Sequence, residues 1–259
     1  MSIENVIAEK ISEIQKSEDV MILHAVESGS RAWGFASPDS DYDVRFIYVR
    51  RKNDYLRLEK IRDVIEWELN DIYDINGWDI SKMLRLLYNS NPTVFEWIHS
   101  PIVYSSNNII KEITSEIDRF FSCKSGIYHY ISTAISNSKY LKDEKVRLKK
   151  YFYVLRPVLA CRWILENKTP PPVLFSELVD SVADDSIKPI ISELVRIKTE
   201  VPETKKGKHI PELDRYIENS IIEIRKYADS MKDDKIRDWN TLDEMFLKFI
   251  DYHENLSRT

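Results

Sequence analysis

At 259 residues, with 43% hydrophobic and 31% charged residues, the chain has the balance of a folded globular protein, as one large domain or two smaller ones, and not of a disordered or membrane-embedded one. A formal net charge of −5 argues against a general non-specific nucleic-acid binder, which is normally basic, and leaves room for a local basic cleft. The two cysteines, Cys123 and Cys161, have no metal-type spacing. With no signal peptide and no bilayer-length apolar run, they predict a reduced, cytoplasmic protein without membrane attachment.

Ile3, Val6, Ile7, Ile11 and Ile14 recur at helical spacing behind Ser2, an N-capping residue type. They predict an amphipathic helix that leans on a sheet and ends at Glu18-Asp19. Val20 to Glu27 reads as a strand whose unbroken apolar start suits burial on both faces. It runs into Gly29-Ser30, where glycine allows a ligand to approach the main chain and frees backbone N–H groups for an anion. A short helix or turn is predicted over 30–35, and Pro38-Asp39-Ser40 turns the chain into a second strand. There Asp41, Asp43 and Arg45 are expected on one face and Val44, Phe46 and Tyr48 on the other. Two carboxylates that close repel, and a hard divalent cation relieves the repulsion. The charged run 50–54 suits a solvated turn, or a reach towards phosphate.

Residues 63–69 alternate as a strand, with Ile65, Trp67 and Leu69 on one face and Val64, Glu66 and Glu68 on the other. Another strand is expected over 74–78, placing Asp74, Asn76 and Trp78 on one face. Asp79 precedes the helical pattern Ile80, Met83, Leu84, Leu87 and reads as its N-cap. Lys82, in the first turn, is a candidate triphosphate contact or a solvated face. Asn91-Pro92 restarts a helix, with Asn91 as N-cap.

From about residue 105 strand patterns vanish and amphipathic helices follow to the end. A long helix is expected over 144–166, kinked or split at Pro157. On its flank Lys142, Lys145, Lys149, Tyr153 and Arg156 form a basic, partly aromatic ledge, able to meet phosphates or simply solvated. Thr241-Leu242-Asp243-Glu244 reads as a capping box for the last helix. The fold class is thus α/β (α+β), a mixed sheet with helices over 1–104, followed by an all-α domain over 105–259, expected to be a substrate-binding bundle. The five histidines show no ligand spacing, and no Walker-type loop is present, which speaks against a P-loop ATPase.

Gly29-Ser30, a spacer, then Ser40-Asp41-Tyr42-Asp43 resembles the motif of the DNA polymerase β-type nucleotidyltransferase superfamily. The spacer Arg31-Ala32-Trp33-Gly34-Phe35-Ala36 narrows the resemblance to the predicted nucleotidyltransferases that include the RNA-repair-associated polymerase β-like branch. Further blocks agree: Gly77 to Leu87, Asn91 to Trp97, Ser100 to Tyr104, and more weakly Arg147 to Tyr153 with Leu155-Arg156-Pro157. The resemblance implies a nucleotidyltransferase-like sheet, a nucleoside triphosphate as substrate (ATP or another) and Mg²⁺ or Mn²⁺ as cofactor. It implies Asp41 and Asp43 as metal-binding catalytic residues, joined by a third carboxylate on a neighbouring strand that also takes the proton from the attacking hydroxyl. Asp74 is preferred for that place, with Asp79, Glu66 and Glu68 as alternatives. Gly29 and Ser30 are expected at the β- and γ-phosphates, with Arg45, Lys82 and Lys149 as further nucleotide contacts. The acceptor stays open between an RNA end and a protein, as does a nucleotide-binding protein without turnover.

Overall fold

The computed structural model describes residues 2–142, 146–200 and 206–256. Ser2 caps α1 (Ile3–Glu18) by accepting the Asn5 N–H, and Asp19 closes it in the left-handed conformation. Then follow β1 (Met21–Glu27), α2 (Gly29–Ala32), β2 (Tyr42–Val49), α3 (Lys52–Tyr55), β3 (Val64–Leu69) and β4 (Tyr73–Asp79). α4 (Ile80–Tyr88) starts at Asp79, and α5 (Pro92–Ile98) at Asn91. Both side chains accept a first-turn N–H, as their sequence positions predict.

β5 (Val103–Ser106) completes a five-stranded mixed sheet in the order β3-β4-β2-β1-β5. β2 and β4 are parallel; every other neighbouring pair is antiparallel. α1 packs Ile7, Ile11 and Ile14 on one face, against Val44, Phe46, Tyr48, Ile65 and Ile75. The other face, carrying Leu23, Val26, Ile47 and Val49, is covered by α4, α5, α6 (Asn108–Arg119) and the last helix, α12 (Trp239–Leu256). The helical bundle comprises α7 (Cys123–Ser138), α8 (Lys149–Asn167), α9 (Phe175–Val182), α10 (Lys188–Glu200) and α11 (Pro211–Ser230) around one apolar cluster.

Several expectations are revised. The sequence boundary at 104 falls inside β5, and α6 and α12, counted with the helical half, cover the sheet. β3 does not alternate cleanly: its register shifts between Glu66 and Glu68, and Leu69 is exposed. Val146–Arg147, expected in the long helix, forms β6 and pairs with β7 (Lys206–Gly207). α8 continues through Pro157 without splitting, because nearly every side chain from Tyr151 to Cys161 is buried and packing outweighs the missing N–H. The first turn of α12 is capped by Asp238, which accepts the Thr241 N–H and hydroxyl, in place of the expected box. Lys145 and residue 144 lie outside the described residues.

Candidate active site

The parallel register of β2 and β4 sets Asp43 opposite Asp74, Arg45 opposite Asn76 and Ile47 opposite Trp78. Partners in register point to the same face, about 4.8 Å apart. The inner members, Ile47 and Trp78, sink into the cluster under α4 and α5. The outer members form a half-buried polar group at the N-terminal ends of the two strands. Arg45 lies between the acids: its Nη2 donates to Asp43 Oδ1 at 2.8 Å and to Asp74 Oδ2 at 2.6 Å. Nη1 donates to the Asp74 carbonyl at 2.6 Å, and Asn76 Nδ2 donates to Asp74 Oδ1 at 3.2 Å.

The glycine-serine turn closes on this group. The Ser28 N–H donates to the Asp43 carbonyl at 2.8 Å, which ties the turn to β2. Gly29 has φ +59°, and a Cβ there would stand 2.0 Å from Asp43 Oδ2. Glycine is therefore required twice, by conformation and by the carboxylate packed against its main chain. Ser30 is buried in the first turn of α2, whose N-terminus has no side-chain cap.

Asp41 departs from expectation. β2 begins at Tyr42, so Asp41 sits on the loop ahead of the strand with its side chain exposed. Arg31 sets its backbone, donating from Nε to the Asp41 carbonyl at 2.9 Å and from Nη2 to the Ser40 carbonyl at 2.5 Å. The Arg31 guanidinium also lies 3.7 Å from the Tyr42 ring centre. Among the described residues no three His, Cys, Asp or Glu side chains stand close enough together to hold a metal ion. Asp43 and Asp74 converge on a single guanidinium nitrogen. That nitrogen is a stand-in cation, and the two acidic oxygens around it are hard donors of the kind Mg²⁺ accepts alongside substrate phosphates. The pair fits a divalent ion.

Of the alternative third carboxylates, Asp79 is consumed structurally. It is buried, caps α4 and accepts the Tyr55 hydroxyl at 2.8 Å. Burial raises its pKa above the usual carboxylate value, while its hydrogen bonds oppose the shift. Glu68 pairs with Lys10 at 2.5 Å, and Glu66 is exposed on β3. Lys82 is not brought to the site. It follows the opposite end of β4, about 16 Å of strand from Asp74, and pairs with Asp63 at 3.4 Å. The charged run after β2 is likewise at the far end, where Arg51 pairs with Asp19.

The expected ledge divides. Arg156 is buried, bonded to Glu96 at 3.0 Å and stacked 4.6 Å from the Trp33 ring. Lys149 and Lys150 open α8, and Lys150 lies over Tyr140 at 4.0 Å and Tyr153 at 5.5 Å. Tyr153 meets Trp33 edge-on at 6.0 Å, so the start of α8 borders the end of α2.

Two supports were not singled out in the sequence. Glu27, 1% exposed, accepts the Asp43 N–H at 2.8 Å on Oε1 and the Tyr104 hydroxyl on Oε2. Burial pushes its pKa up to about 7 against the pull of those hydrogen bonds. An acid ending a mostly apolar strand was the available signal. Lys198 of α10, also buried, donates from Nζ to Ser37 Oγ at 2.8 Å, and the Ser37 N–H donates to Ser40 Oγ at 3.0 Å. The helical bundle thus grips the loop that presents Asp41. Nothing local in the sequence announces a contact across that separation.

Residues 3–248 match the model of RlaP, the RNA repair pathway DNA polymerase beta family. The chain is 40% identical over 251 residues to the uncharacterized protein YcgL of Bacillus subtilis strain 168, covering 95% of each. A solved structure of a nucleotidyltransferase-like protein from Exiguobacterium sibiricum 255-15 is 15% identical, with a TM-score of 0.31, covering 88% of this chain and 75% of that one. With nearly the whole chain matched, this protein belongs to the RNA repair pathway DNA polymerase beta family.

Proposed function

We propose that the protein is a nucleotidyltransferase that moves a nucleoside monophosphate from a nucleoside triphosphate to an acceptor hydroxyl, with an RNA end as the acceptor. The observation that carries this reading is the Asp43–Asp74 pair, in register across parallel strands, with the Gly29 main chain packed against Asp43. The RNA acceptor rests on the family alone.

In the reaction the acceptor oxygen bonds to the α-phosphorus, the bond from that phosphorus to the bridging oxygen breaks, and pyrophosphate leaves. Asp43 and Asp74, with Asp41 at the mouth of β2, would hold Mg²⁺ or Mn²⁺, which when bound neutralises phosphate charge and makes the acceptor hydroxyl more acidic. The uncapped first turn of α2, from Gly29 and Ser30, donates N–H groups to the β- and γ-phosphates. Asp74 receives the hydroxyl proton. Arg45 supplies a guanidinium for the triphosphate. Lys149 and Lys150, beyond Trp33 and Tyr153, meet phosphates further along the nucleotide or the RNA.

The test uses α-labelled ATP, CTP, GTP and UTP in turn, each with RNA, with lysate protein and with neither, in Mg²⁺ and in Mn²⁺. Label on RNA, lost in Asp43→Asn and Asp74→Asn, is the expected result. Label on protein moves the acceptor to another class. No label in any product contradicts the transferase reading.

A further inference from the structure

Arg45 is a cation held by the acidic pair itself. One nitrogen, Nη2, bridges the two carboxylates, while Nη1 is fixed by the Asp74 carbonyl at 2.6 Å and the Val44 carbonyl at 3.2 Å. The side chain is 14% exposed. The backbone beneath is fixed as well, because Arg45 lies directly between Val44 and Phe46 on β2, opposite Asn76, both neighbours being fully buried. The guanidinium therefore sits where charge neutralisation is needed, and four acceptors hold it there.

A divalent ion shared by Asp43 Oδ1 and Asp74 Oδ2 would lie about 2.1 Å from each oxygen. On the side of the pair that Nη2 occupies, that position overlaps the nitrogen. The overlap is steric and electrostatic, since a dication and a guanidinium at that spacing repel strongly. Both cannot satisfy the same two oxygens.

We infer that Arg45 is a built-in counterion of the metal site, which the metal must displace, and that the displaced guanidinium then turns to the phosphates arriving with it. This rests on the transferase reading above for the presence of the metal. The inference itself concerns a competition between two cations for Asp43 and Asp74. It has three consequences. The metal-free protein needs no ion to relieve the repulsion between its paired acids, so it is stable without one. A metal ion alone binds weakly, because it must evict Arg45 with no new anion to receive it. Metal together with a triphosphate binds well, because the phosphates accept the guanidinium. Ion loading is thereby coupled to substrate loading through one side chain.

The experiment measures Mn²⁺ binding to the full chain, from the free-ion electron paramagnetic resonance signal, in the wild type, Arg45→Gln, Arg45→Lys and Asp43→Asn. The expected result is that Arg45→Gln binds Mn²⁺ at least about tenfold more tightly than the wild type. Arg45→Lys, which keeps the charge without the fork, should fall between them, and Asp43→Asn should lose the ion. Melting in EDTA supplies a second readout. Arg45→Gln should melt below the wild type and recover with Mn²⁺, whereas the wild type should barely respond. If Arg45→Gln is unfolded in EDTA, recovery of its circular dichroism on adding Mn²⁺ supports the inference, and failure to recover overturns it. Equal or weaker Mn²⁺ binding by folded Arg45→Gln, with binding still abolished in Asp43→Asn, overturns the counterion role and leaves the metal site standing. No Mn²⁺ binding by the wild type or by Arg45→Gln removes the metal site and the inference together.

Discussion

At the scale of single residues, two buried titratable groups of β1 are shifted with opposite effects on stability. His24 is buried on β1, with Nδ1 3.0 Å from Ser106 Oγ and Nε2 3.3 Å from the Trp97 carbonyl, and burial lowers its pKa to about 4. Its folded value lies below the unfolded one, so its contribution to stability is whole above pH 6.5 and is lost as pH falls towards 4. Glu27, three residues on, has the reverse sign. Its folded pKa, about 7, is above the unfolded value, so stability is whole below pH 4.5 and is lost as pH rises through 7. The wild-type melting temperature should thus be flatter between pH 4.5 and 6.5 than either group alone would allow. Glu27→Gln should remove the loss on the alkaline side, and a Tm series from pH 4 to 8 for both proteins checks it. Gly29→Ala makes a separate prediction. A Cβ at 2.0 Å from Asp43 Oδ2, at positive φ, must push the carboxylate aside. Label transfer should fall about a hundredfold or more, with the circular dichroism spectrum unchanged.

At the scale of elements, the junction between β4 and α4 shows what a cap does here. Asp79 holds the Ser81 N–H and the Tyr55 hydroxyl at once, the latter tying α3 to the sheet. Asp79→Ala removes the cap and leaves a buried hydroxyl without its acceptor, a loss of about 2–3 kcal/mol measurable by urea unfolding. Transfer activity at permissive temperature should survive, because Asp79 lies at the other end of β4 from Asp74. The cap was readable in the sequence because capping is local, as was the helix start at Asn91-Pro92. Asp74 could only be preferred, since its standing beside Asp43 depends on the register between strands some thirty residues apart. Lys82 was misplaced for the same reason: spacing along a strand does not say which end meets the ligand. The two-residue strands β6 and β7 carry too little pattern to read at all, and β5 is only four residues long.

At the scale of the whole molecule, the sheet and the bundle are joined beside the glycine-serine turn. Trp33 is held between Tyr153 and Arg156, Arg156 pairs with Glu96 of α5, and Lys198 reaches Ser37. Arg156→Met should strand Glu96 next to the Tyr130 hydroxyl and destabilise the chain by about 3–5 kcal/mol, read by chemical unfolding. Since α6 and α12 cover one face of the sheet, a fragment ending at residue 104 should be insoluble or lack a cooperative melt, as followed by calorimetry. The general plan, a mixed sheet followed by helices, was legible from periodicity, but the return of the last helix to the sheet was not, because amphipathic faces do not name their partners. The most direct test of the account is a crystal grown with Mn²⁺ and tripolyphosphate, read by anomalous scattering. The account predicts a peak touching both Asp43 and Asp74, with phosphate at Gly29 and Ser30. A peak elsewhere, or none, with Arg45 still bridging the two acids, would contradict it.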